Sequence, residues 1–160
     1  GFVNQIGKGR GAGYTLNLPM PAGAGDEQYR LALDEIVVPL IDRFAPDFII
    51  RNGGSDPLCF DTLTDLGLTL AGLSMMTGAI AAAARRRGVP LADLFLSGYG
   101  SYVTEGWLAI LRGTLDAPID IAIDGDAAYA PRRNETRIRD AMRATLEQLR
   151  HILRPHWGDL

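Results

Sequence analysis

Apolar positions recur along this chain with two different periods. After Asp26, a predicted N-cap, the residues Leu31, Leu33, Ile36, Val37, Leu40, Ile41 and Phe44 keep a 3.6-residue period up to Pro46, which predicts an amphipathic helix. An Ala-, Leu- and Met-rich segment over residues 69–87 closes on Arg85, Arg86 and Arg87 before Gly88, with cations where a helix dipole favours them, and predicts a second helix. Two more are expected over residues 104–115 and 134–153, the last with Asn134 as cap. Between the helices lie short apolar runs. Residues 48–50 run into Asn52-Gly53-Gly54 and residues 94–96 into Ser97-Gly98, the pattern of buried parallel strands that end in loops. Residues 14–18 and 119–123 alternate or stay apolar and are expected as further strands. Strand and helix in alternation predict an α/β domain with a parallel sheet and right-handed crossovers.

Composition narrows the class. The chain has 160 residues, 47% hydrophobic and 22% charged, which suits one domain with a sizeable core, and no linker divides it. The longest uncharged run, residues 66–84, is interrupted by Gly67, Gly72 and Gly78 and carries Thr69, Ser74 and Thr77, so it reads poorly as a membrane span. No signal peptide opens the chain, and a membrane partner is not expected. A net charge of −3 gives no general attraction to nucleic acid. Cys59 is the only cysteine, which excludes an internal disulfide framework and fits a reducing, cytoplasmic setting. The chain opens on Gly1-Phe2-Val3-Asn4 rather than Met, as a processed chain or a piece of a longer reading frame would.

In open parallel sheets ligands bind at the carboxyl ends of strands, so the loops after the two central strands hold the candidate chemistry. Gly53 and Gly54 allow a sharp bend that can aim the Asp56 carboxylate into a cleft, where a hard or borderline cation would suit it. Gly98 precedes Tyr99, whose phenol could donate to a developing oxyanion. Taken singly, Asp56 is first a turn residue or helix cap and Tyr99 first a half-buried aromatic.

Several motifs in register change that weighing. Residues 7–21, with four alternating glycines and then Asn17-Leu18-Pro19, resemble the glycine-rich segment and Asn-x-Pro strand of the histone deacetylase superfamily, which includes acetoin-utilisation proteins and acetylpolyamine amidohydrolases. The resemblance runs on through Gly25-Asp26 and Tyr29, Pro46-Asp47-Phe48, Gly54-Ser55-Asp56 with Asp61 five residues on, Leu66-Gly67-Leu68-Thr69, Ser97-Gly98-Tyr99 and Gly106-Trp107. It implies the carboxyl-terminal portion of a three-layer, arginase/deacetylase-like fold, in which a single zinc activates water against an N-acetyl amide. By the same resemblance Asp56 is the third zinc ligand, Tyr99 polarises the amide carbonyl, and Gly53, Gly54 and Gly98 shape the substrate cleft. The substrate the resemblance implies is an acetylated small molecule or an acetyl-lysine protein. Where the family has Glu-Gly-Gly-Tyr, this chain has Leu96-Ser97-Gly98-Tyr99, and Tyr102 is a rival to Tyr99.

The family's Asp-x-His ligand pair and its general-base histidines fall upstream of Gly1, so residues 1–160 are expected to be the carboxyl-terminal part of one domain whose amino-terminal half is its partner. His151 and His156 do not share a helix face and are read as surface or packing residues. The glycine-rich loop precedes a strand instead of following one, against a dinucleotide site. Cys59, Met75 and Met76 are expected in packing roles, Arg85 to Arg87 as helix-end charge, and Glu135 with Arg139 as an i, i+4 pair on a solvated face. A non-catalytic binding module on the same fold remains the alternative, favoured by the altered motif at Ser97. An arginase-like hydrolase needs more carboxylates than Asp56 and Asp61 supply.

Overall fold

The computed structural model describes residues 1–121 and 135–160. Its elements run α1 (Asp26–Ala32), a π-helical turn (Leu33–Val37), α2 (Val38–Phe44), β1 (Ile49–Gly54), α3 (Leu70–Arg87), β2 (Leu91–Ser97), α4 (Val103–Leu115) and α5 (Glu135–Trp157). β1 and β2 pair in parallel, with α3 as the crossover between them. The expected parallel α/β arrangement is therefore present.

The predicted helix over residues 26–44 is continuous but not uniform. Pro39 has no N–H, and its ring would press on the carbonyl one turn back in a regular α-helix. The chain widens through a π turn just ahead of it, in which the Val38 N–H reaches the Leu33 carbonyl, and resumes as α2 with the proline in its first turn. Gly25, not Asp26, is the N-cap of α1. Asp26 is instead spent on a distant helix: its two oxygens accept from the Thr69 N–H at 2.9 Å and the Thr69 hydroxyl at 2.7 Å, while Thr69 caps α3 by accepting from the Gly72 N–H at 2.9 Å.

Two apolar cores flank these elements. Ala32 and Ile36 pack with Met142, Leu146, Leu149 and Leu153 of α5, and Leu16, Leu18 and Met20 cover that cluster. Residues 14–18 are not a strand, because their apolar side chains are taken up by this helical core and no strand lies alongside to pair with them among the described residues. The second core joins Leu58, Leu68, Leu70, Leu73, Ala109 and Ile110, with Tyr29, Met76 and Phe95 against it. Here α3 and α4 approach closely. A side chain at Gly113 would run into the Ser74 carbonyl and the Thr77 hydroxyl, and the gap is bridged by Ser74 Oγ donating to the Ala109 carbonyl at 2.7 Å and Thr77 Oγ1 to the Ile110 carbonyl at 3.2 Å.

The helix-end arginines tie elements together: Arg85 donates to the Thr114 carbonyl and Arg87 to the Asp42 carbonyl. Arg139 does not rely on Glu135. It forms a bidentate pair with Glu27 at 2.9 and 3.3 Å, docking α5 on α1, because the two helices pack side by side there. Of the predicted strand over residues 119–123, residues 119–121 are irregular, and Ala122, Ile123 and the Asn134 cap lie outside the described residues.

One face of the β1–β2 pair meets α4. Arg51 and Asp93, opposite each other in register, form a buried ion pair on that side, and the Thr114 hydroxyl donates to Asp93. Ile50, Leu94 and Leu96 point the other way and are 64%, 42% and 65% exposed.

Candidate active site

A register shift builds the site. Gly53 pairs with Phe95, but Gly54 pairs with Ser97, so Leu96 is an extra residue in β2 and both strands end level with one another. The backbone continues the pairing one step further, with the Ser55 N–H donating to the Ser97 carbonyl at 3.0 Å. The Asp56 loop and the Tyr99 loop therefore leave the sheet side by side.

Asp56 is half-buried at this edge. Its Oδ1 accepts a 2.5 Å hydrogen bond from the Ser97 hydroxyl, and its carbonyl accepts one from the Thr64 hydroxyl, also at 2.5 Å. Neither contact uses Oδ2. Gly54 has no room for a side chain: a Cβ there would strike Ser97 and the Asp56 carboxylate. Gly98 has φ of +143°, and its missing Cβ is where the Ser55 hydroxyl sits. Gly53 is crowded in the same way by the Arg51 guanidinium.

Tyr99 leaves the surface 47% exposed, whereas the Tyr102 ring tilts onto Phe60 with centroids 4.8 Å apart. The Tyr99 backbone N–H donates to Asp61 Oδ2 at 2.8 Å. Asp61 Oδ1 meanwhile accepts from the Leu63 N–H at 2.8 Å and the Thr64 N–H at 3.2 Å. Trp107 Nε1 completes the frame by donating to the Ser97 carbonyl at 3.1 Å.

Of the residues singled out from sequence, Asp56, Gly53, Gly54, Gly98 and Tyr99 thus gather at one end of the sheet. His151 and His156 do not join them; both are exposed on or beside α5, and His156 lies against Gly13. Cys59 is half-buried, and its backbone N–H donates to the Leu68 carbonyl. Ser97 and Asp61 are the residues whose site contacts sequence reasoning missed. Asp61 was legible only as a fixed spacing from Asp56, and Ser97 only as a departure from a glycine pattern.

A zinc ion in a catalytic site takes about three protein ligands and keeps one position open. Among the described residues no group of three or more His, Cys, Asp or Glu side chains is arranged to hold a metal ion. Asp56 has the hard oxygen donor and strand-end position for one corner of such a site. The described residues do not complete it.

Comparison with known proteins defines the class. The histone deacetylase domain model matches residues 1–113. The chain is 36% identical over 119 residues to a probable deacetylase of Archaeoglobus fulgidus, covering 71% of this chain and 33% of that protein. It is 33% identical over 152 residues to the histone deacetylase-like amidohydrolase of Pseudomonas aeruginosa, covering 92% of this chain and 39% of that protein. The solved HDA15 HD domain superposes with a TM-score of 0.75 at 25% identity, over 98% of this chain and 39% of that one. The histone deacetylase Clr3 gives 0.74 at 27% identity, over 97% and 24%. The architecture is that of the deacetylase α/β fold. The chain belongs to the histone deacetylase domain family, and it spans 33% and 39% of the length of the two curated relatives named.

Proposed function

We propose that residues 1–160 are the carboxyl-terminal part of a single deacetylase domain, which hydrolyses an N-acetyl amide of the acetyl-lysine or acetylpolyamine type with zinc. The observation that carries this reading is the meeting of the Asp56 and Tyr99 loops at the carboxyl end of β1 and β2 through the Ser97–Asp56 hydrogen bond. Asp56 serves as one metal ligand, and the other ligands and the general base come from outside the described residues. The metal supplies Lewis acidity and an activated water. Tyr99, exposed and unstacked by Phe60, donates from its phenol to the oxygen that gains charge as the amide is attacked. Gly53, Gly54 and Gly98 make room for the side chains that line this end of the sheet, Arg51, Ser97 with Asp56, and Ser55 respectively, and so let the two loops close on one another beside the cleft. The partner is the rest of the same domain, laid over Ile50, Leu94 and Leu96, and the lone cysteine suits a cytoplasmic protein.

The direct test is Asp56→Ala in the intact protein. Zinc content and deacetylase activity should fall together, since two protein ligands hold a borderline cation far more weakly than three. Full zinc occupancy in the variant overturns the assignment. A second reading, a binding module that keeps the fold without the chemistry, is favoured by Ser97, whose hydroxyl occupies one oxygen of Asp56. Full-length protein that binds an acetyl-lysine peptide without hydrolysing it would establish that reading.

A further inference from the structure

Asp61 stands outside the role just given to Asp56 and Tyr99, yet its carboxylate makes more contacts at the site than either of them. One oxygen accepts two N–H groups of its own loop, Leu63 and Thr64, and the other reaches across to the backbone N–H of Tyr99. Hydrogen bonds to an ionised acceptor are roughly twice as strong as neutral ones, and a carboxylate can serve several donors at once. Ser97, where the loop begins, is held by Ser55, Asp56 and Trp107, and at Tyr99 itself the backbone is held by the Asp61 carboxylate. Gly98 and Gly100, both at positive φ, flank the tyrosine, and its ring is 47% exposed. A two-glycine hinge with an exposed aromatic between would sample many orientations unless its backbone were pinned. The pin is the Asp61–Tyr99 bond, and the stacking of Phe60 on Tyr102 closes the same pair of loops from the other side.

We infer that Asp61 is a positioning residue: it fixes the Tyr99 backbone and so sets where the phenol stands over the substrate, while its engagement with three N–H groups removes it from metal ligation. The inference rests on the proposed role of Tyr99. It commits Asp61 to a structural tie between two loops that the chemistry needs at a fixed separation.

The experiment is a double-mutant cycle in the intact, zinc-loaded protein, combining Asp61→Ala with Tyr99→Phe and reading kcat and KM on an acetyl-lysine peptide, with Asp61→Asn as the conservative variant. Hydrogen exchange at the Tyr99 amide and zinc content are read alongside. An Asn oxygen can replace only one of the two acceptors, so Asp61→Asn should speed exchange at Tyr99 or at Leu63 and Thr64, and Asp61→Ala at all three, by about 10-fold or more. Turnover should fall on the order of 10- to 100-fold in Asp61→Ala with little change in KM or zinc, the scale of a misplaced catalytic group. In the Tyr99→Phe background the same substitution should cost almost nothing further in kcat, because the group it positions is gone. Unchanged exchange at Tyr99 in Asp61→Ala, or losses in kcat that multiply across the two sites, would overturn the inference. Wild-type turnover in Tyr99→Phe together with faster Tyr99 exchange in Asp61→Ala would instead overturn the role of Tyr99 and leave Asp61 as a loop tie alone.

Discussion

The Ser97 hydroxyl donates a 2.5 Å hydrogen bond to Asp56 Oδ1, joining the end of β2 to the loop that leaves β1. A ligand carboxylate fixed by a neighbouring donor is held in one orientation, and such partners are worth about 10- to 100-fold in metal affinity. Ser97→Ala should therefore weaken zinc binding by about 10-fold in the intact protein, measured by competition with a chelator of known strength. A rise in affinity would show that Ser97 competes with the metal instead of orienting its ligand, and would favour the binding-module reading.

Tyr99 and Tyr102 are separated by their surroundings. Tyr102 stacks on Phe60 and precedes α4, whereas Tyr99 is exposed at the strand end. Tyr99→Phe should lower turnover by about 10²- to 10³-fold, as loss of an oxyanion donor does, with zinc content and thermal stability nearly unchanged. Tyr102→Phe keeps the ring against Phe60 and should leave turnover close to normal. Steady-state kinetics on the two variants decide it, and a large loss confined to Tyr102→Phe would transfer the role.

The sequence made the central strands and the helices around them legible because their signals are local. Pro46 and Gly88 stop helices, Thr69 starts one, and Gly98 follows the end of β2, whereas Asn52, Gly53 and Gly54, expected as a loop, are the paired end of β1 because β2 lies alongside them. It misled where the partner of a pattern lies far away. The alternation at residues 14–18 is a strand signal only if another strand is beside it, and here Leu16 and Leu18 meet α5. Asp26 looks like a cap for the helix it opens, but it braces Thr69, 43 residues on. Arg139 has an acidic neighbour one turn away and binds Glu27 on another helix. Motif spacing singled out Asp56 and Tyr99, and the structure brings their two loops together at the strand ends. The bonds made by Ser97 and Asp61 depend on a register shift and on loop docking, which no single segment encodes.

Tyr29 supplies a pH signature of the second core. Burial pushes its phenol up to about 12 from an ordinary value of 10.0. The neutral form is the one the fold prefers, so as pH rises the unfolded chain loses this proton first. The stability that depends on it is complete below about pH 10 and is lost as pH climbs towards 12, a change on the order of 2–3 kcal/mol. Urea unfolding of the intact protein and of Tyr29→Phe across that window gives the comparison. The difference between them should drift steadily in favour of the variant, and parallel curves would mean that the phenol is solvated.

Ile50, Leu94 and Leu96 make the last test, because they form an apolar face on a parallel pair that has a helical layer on its other side. Parallel sheets are normally covered on both faces, and exposed apolar patches on strands with open edges invite association. Made as a separate 160-residue chain, the protein should self-associate, and it should neither bind zinc tightly nor hydrolyse an acetyl amide, since the described residues offer one metal corner. Addition of the separately produced remainder of the domain should replace self-association with a one-to-one complex and restore zinc binding, followed by sedimentation and metal analysis. Leu94→Lys with Leu96→Lys should suppress both kinds of association, because burying an ammonium group against an apolar layer costs several kcal/mol. A monodisperse monomer with stoichiometric zinc and activity from the 160 residues alone would show that the ligands have been misassigned and that this face needs no cover.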